Sequence, residues 1–132
     1  MAFLIGAVLA VSVGLTMTII GMDRDRAFYP TVMIVIASYY ALFAIVGAST
    51  PVLLVELIAI LVFCSASVAG FRYSLWIVVA ALAAHGVFDL VHGHFIDNPG
   101  VPVWWPSFCL AYDVVAAAYL AWLLLRSKVP AS

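Results

Sequence analysis

Five apolar runs of about twenty residues each, joined by very short connections, leave this chain almost one way to fold. The runs fall at roughly 2–21, 28–48, 51–70, 74–95 and 106–125, each about long enough to cross a ~30 Å hydrocarbon layer as an α-helix. Of the 132 residues, 68% are hydrophobic and only 8% charged, with a mean hydropathy of +1.27. A water-soluble domain could not carry that composition without exposing much of its apolar surface, so the solvent is lipid. The expected fold is an all-α membrane protein, a five-transmembrane-helix bundle forming a single domain over residues 1–132. A net charge of -1 and the lack of any basic run argue against a nucleic-acid partner.

The prolines agree with the hydropathy. Pro30, Pro51 and Pro106 each fall where a helix opens, a position at which the missing N–H costs nothing, and Thr50 is placed to cap the third helix. Gly6, Ala10 and Gly14 give the first helix a stripe of small residues suited to close helix packing. Cys64 and Cys109 sit at depths too different for a disulfide and read as packing residues, with a site role left open for Cys109 because Asp113 is one turn away.

Orientation follows from the basic residues. With the N-terminus outside and the C-terminus in the cytoplasm, Arg24, Arg26, Arg72, Arg126 and Lys128 all face the cytoplasm, as the positive-inside rule requires. The first run lacks a basic n-region and is too long for a signal peptide, so it reads as an uncleaved anchor. These features place the chain as a multi-pass protein of a bacterial-type cytoplasmic (inner) membrane.

The ionisable residues inside the helices carry the functional information. Glu56, Asp89 and Asp113 lie within predicted spans, where a charge is expensive and normally faces the bundle interior. In the fourth helix, His85, Asp89 and His92 at i, i+4 and i+7 fall within about 60° of one another, while His94 points away near the surface. Counting inward from the outer helix ends, Glu56 lies about 7 Å deep, Asp89 about 8 Å, Asp113 about 10 Å and His85 about 14 Å. Three helices thus deliver ionisable groups to one slab in the outer half of the bilayer. Tyr39 and Tyr40 reach a similar depth, with at most one polar role between them. Above the slab runs the longest connection, in which Asn98-Pro99-Gly100 signals a turn and Trp104-Trp105 forms an interfacial anchor or a lid.

Two chemistries fit this set. His85, Asp89 and His92 present N and O donors suited to a Zn or non-haem Fe ion, with Glu56 and Asp113 completing or orienting the shell. Alternatively His85, Asp89, Asp113 and Glu56 act as acid–base groups, since carboxyl groups buried together resist full ionisation and imidazole exchanges protons near neutrality. Three histidines are too few for the diiron centre of the His-box desaturases and hydroxylases. The plain structural alternative is an interhelical network that only fixes register. Three functional classes remain open on the sequence: an enzyme or binding protein for a small or lipid-like molecule, a proton- or ion-coupled transporter component, and a membrane assembly or interaction subunit with a structural polar network, with an oligomer open in each case.

The pattern His85-x3-Asp89-x2-His92, with Asn98-Pro99, Cys109 and Asp113 after it and Arg26-x-Phe28 and Glu56 before it, resembles a family of small bacterial integral membrane proteins of unknown function. The resemblance runs from about residue 24 onward. It implies a membrane bundle and carries no activity with it.

Overall fold

The computed structural model describes every residue except Ala48. Five α-helices follow one another: α1 (Ala2–Ile20), α2 (Phe28–Val46), α3 (Thr50–Arg72), α4 (Leu75–Phe95) and α5 (Trp105–Leu125). All five are long and apolar enough to cross a membrane, and no strand occurs among the described residues. The expected runs and these helices agree to within about two residues, except that Ala48, the expected end of the second run, lies outside the described residues. Thr50 does not cap α3 as expected; it is the first helical residue, and Ser49 occupies the capping position without a side-chain bond to the helix.

Leu54, Ile58, Leu61 and Val62 of α3 and Phe3, Leu4 and Val8 of α1 are exposed, while Glu56, His85, Asp89, His92 and Asp113 are buried. In water this arrangement would be inverted; in lipid it is required, because hydrocarbon solvates leucine and not carboxylate. Consecutive helices run in opposite directions, so the bundle has two distinct ends. Arg24, Arg26, Arg72, Arg126 and Lys128 gather at one, the basic end. The opposite end carries Met1, Gly47, Ser49 and residues 96–104, and is termed the site end.

Helix order around the bundle is fixed by side-chain size. α4 packs against α5 and α3, and α2 packs against α3, while α1 lies along α5. Gly6, Ala10 and Gly14 are the buried residues of α1. A Cβ at Gly6 would overlap the Phe108 carbonyl oxygen, and one at Gly14 would press on the Tyr119 ring. The small-residue stripe is therefore occupied within the chain, by α5, and offers no free face for a second copy. At the basic end the α1–α2 turn is tied down by polar bonds that hydropathy did not reveal. Thr18 Oγ1 donates to the buried Asp23 at 2.5 Å and pairs with the Tyr119 hydroxyl at 2.9 Å. Arg26 donates to the Gly70 carbonyl at 3.2 Å, and the Leu75 amide to the Ala131 carbonyl at 2.8 Å, closing the bundle on that side.

Candidate functional site: a buried His/Asp/Cys cluster

The i, i+4, i+7 spacing puts His85, Asp89 and His92 on the face of α4 that looks into the bundle, and all three are buried. α5 adds Cys109 and Asp113, also four apart and so on one face, α3 adds Glu56, and α2 adds Tyr40. Gly86 sets the spacing between the two main contributors, since a Cβ there would stand 3.3 Å from both the Asp113 Cβ and the Leu110 carbonyl oxygen. Next to that close approach, one hydrogen bond of 2.7 Å joins His85 Nδ1 to Asp113 Oδ2. The same His85 nitrogen lies 3.5 Å from Asp89 Oδ2. Cys109 Sγ donates a weak bond to Asp113 Oδ2 at 3.9 Å.

His92 belongs to a different group from the one its spacing suggests. Its Nε2 shares a 2.7 Å hydrogen bond with Glu56 Oε1, and that oxygen also accepts from Asn98 Nδ2 at 2.8 Å. The reason is axial: seven residues advance a helix by roughly 10 Å, so a shared face does not mean a shared level. His85 thus meets α5 while His92 meets α3. Tyr40 joins the two arms, since its hydroxyl donates to Asp89 Oδ1 at 2.5 Å and its ring stacks on His92 with centroids 4.0 Å apart. Tyr39 faces outward against Trp105 and has no part in the network. His94 is exposed, as its direction on the helix required.

Asn98 entered the sequence reading as a turn residue and as part of the family-like pattern, not as a partner of the buried groups. Its side chain reaches inward to Glu56 and to the Tyr40 carbonyl at 3.2 Å, so the 96–104 stretch is pinned over the Glu56–His92 arm. Trp105 is buried among Phe43, Tyr39 and Phe108, while Trp104 is half exposed. Of the tryptophan pair, one residue closes the bundle and the other anchors at its surface.

Three carboxylate oxygens, Glu56 Oε2, Asp89 Oδ2 and Asp113 Oδ1, are buried without a hydrogen-bond partner. Every lysine and arginine lies at the other end of the bundle, so only the two imidazoles can balance the three carboxyl groups. Even with both imidazoles protonated, full ionisation leaves one negative charge uncompensated in a low-dielectric interior. The cluster therefore calls for a further proton or a cation. Among the described residues, His85, Asp89, Cys109 and Asp113 offer four donor atoms that all lie within 4.8 Å of one another. A tetrahedral ion with bonds of 2.0–2.3 Å separates its ligand atoms by about 3.3–3.8 Å. The His85–Asp89 and Cys109–Asp113 separations sit near that range; for an ion to enter, the His85–Asp113 hydrogen bond must lengthen by less than about 1 Å and separations toward the 4.8 Å limit must close by about as much.

No family model matches this chain, and neither a curated protein nor a solved structure matches it. The class rests on the molecule itself: a helical protein with five membrane-length apolar helices enclosing a buried His/Asp/Cys cluster.

Proposed function

We propose that this chain is a multi-pass protein of a bacterial-type cytoplasmic membrane that binds a transition-metal ion, Zn2+ or Fe2+, through His85, Asp89, Cys109 and Asp113, and uses it on a small or lipid-like molecule. The observation that carries the reading is the convergence of four mutually close donors of N, O and S type with unpartnered carboxylate oxygens around them. A dipositive ion would offset two of the three negative charges that Asp89, Asp113 and a Cys109 thiolate bring to it, and with one of the four donors released or a fifth position open it would polarise a carbonyl or phosphoryl oxygen or lower the pKa of a bound water. Tyr40 orients Asp89, and the Glu56–His92–Asn98 arm holds α3 and the 96–104 stretch against α4.

Protein purified without chelator is expected to carry about one ion per chain by elemental analysis. His85→Ala and Asp113→Asn should lose it, while His92→Ala should retain it because His92 lies outside the donor group. Absence of stoichiometric metal from the wild type would refute the ligand reading. It would leave the second reading, acid–base chemistry at the same residues, which the His85–Asp113 and Tyr40–Asp89 hydrogen bonds support as a ready proton relay. In that case Asp89→Asn and Asp113→Asn abolish activity and no variant changes metal content.

The orientation belongs to the same proposal, since the collection of all five basic residues at one end makes that end cytoplasmic and the site end external. Reporter domains fused at Met1 and at Ser132 should signal external and cytoplasmic locations respectively. Signals from one side for both would reject an odd number of spans.

A further inference from the structure

His85, Asp89, Cys109 and Asp113 are each at most 2% exposed, so nothing in solution touches them while the bundle is closed. A dipositive ion reaches the cluster only if some part of the molecule moves. Two directions are closed to it. The groove between α1, α2 and α5, which Cys109 helps to wall, opens past the exposed Leu9 and Val35 into lipid, where an ion would have to shed its water. The basic end gathers all five lysine and arginine side chains, which repel a cation. The site end has none of these and carries the exposed Asp97.

At that end the longest connection of the chain, residues 96–104, lies across the way in. Asn98 is its only buried residue. That one side chain donates both of the side-chain hydrogen bonds that tie the stretch to the bundle, to Glu56 Oε1 at 2.8 Å and to the Tyr40 carbonyl at 3.2 Å. The remaining contacts are apolar or van der Waals: Gly100 rests on the Phe43 carbonyl, where a Cβ would overlap it, and Val101 packs against the core. Both ends are held separately, since the Ile96 amide bonds the His92 carbonyl to finish α4, and the buried Trp105 begins α5. The middle can therefore lift while the helices stay formed. Lifting takes away one of the two donors of Glu56 Oε1, and Oε2 has none, so Glu56 is the first carboxyl group that an ion entering there meets. Tyr40, stacked on His92 and bonded to Asp89, leads from that point to the cluster.

We propose that residues 96–104 form a gate, latched by Asn98 on Glu56 and on the Tyr40 carbonyl, through which a divalent transition-metal cation passes between the site end and the His85–Asp89–Cys109–Asp113 cluster. The gate sets how fast the ion enters and leaves. It does not set how tightly the ion is held, because the empty and the loaded protein are both closed by the same two bonds. Loss of those bonds shifts the opening equilibrium about tenfold or more. The identity of the passenger rests on the functional reading above; the movement of the gate does not.

The test uses the full-length protein with Cys64→Ser, which leaves Cys109 as the one thiol, in sealed vesicles whose orientation is read from a tag at Ser132. Ag+, a small thiophilic cation, is presented to the metal-free protein at one end at a time, and the thiol that remains is titrated after unfolding. In this background Ag+ should consume Cys109 faster from the site end than from the basic end, which tests the route without altering Asn98. Asn98→Ala should raise the site-end rate about tenfold. Asn98→Asp keeps the shape of the side chain but cannot donate to Glu56, and should raise it at least as much. Gly70→Ala crowds Val78 at the basic end and loosens the bundle there, and should leave the rate unchanged. Release of preloaded Zn2+ to an impermeant chelator at the site end should follow the same order, with equal Zn2+ content at equilibrium in all of them. Background rates in both Asn98 variants would overturn the gate. So would faster consumption from the basic end, or an equal acceleration by Gly70→Ala. The two proposals fail separately: Ag+ rates that follow Asn98 in a protein that holds no Zn2+ refute the ligand reading and leave the gate, and bound Zn2+ with rates indifferent to Asn98 does the reverse.

Discussion

Glu56→Leu and His92→Leu, made singly, are each expected to lower the free energy of unfolding by about 3–5 kcal/mol, while the double variant should recover most of the loss. Each single change strands a buried polar partner: without His92, Glu56 Oε1 keeps only Asn98, and Oε2 already has no partner. Leucine in both positions removes the stranded group and leaves two side chains that lipid and protein interior accept equally. Reversible unfolding in mixed micelles, read as a double-mutant cycle, measures the coupling directly. Singles within about 1 kcal/mol of wild type would mean that this arm does not hold α3 to α4. Because neither residue belongs to the four-donor group, metal content should stay unchanged through all three variants. The same cycle therefore separates an arm that holds the helices from a cluster that binds.

The second large effect is a difference in sign between two glycine substitutions. Gly6→Ala should destabilise by about 1–3 kcal/mol or more, because the new methyl meets the Phe108 backbone carbonyl, which cannot rotate away as a side chain could. Relief comes only from moving α1 outward from α5, along which it packs. Gly93→Ala, with nothing within 4 Å of the added Cβ, should instead stabilise by up to about 1 kcal/mol through helix propensity. The two unfolding midpoints, measured side by side, check the pair. If Gly6→Ala is neutral, α1 does not rest against α5 as described.

By itself the sequence determined the solvent, the number of helices and nearly all of their limits, because hydrophobic length against bilayer thickness is a one-dimensional property. It also determined that Glu56, His85, Asp89, His92 and Asp113 turn inward, since periodicity fixes a face and the cost of charge in hydrocarbon fixes which face that is. Counting residues from helix ends brought Glu56, Asp89, Asp113 and His85 to one slab, and the structure connects them through a single polar network. What periodicity could not supply is the partner of each group, which depends on which helices are neighbours and how far each slides along the next. Only the tertiary structure assigned His92 to Glu56, gave Tyr40 rather than Tyr39 the polar role, and drew Cys109 into the cluster. Asn98 reaches Glu56 across 42 residues of sequence, and Asp23 is buried against Thr18 at the basic end. The Asn98 contact leaves no local signature because it arises where the chain returns to a helix laid down earlier, and the Thr18–Asp23 bond, though only five residues long, depends on how the chain turns at the end of α1. The place of α1 has the same origin: it packs on α5, distant in sequence, because Gly6 lets its backbone approach the Phe108 carbonyl and Gly14 makes room for the Tyr119 ring.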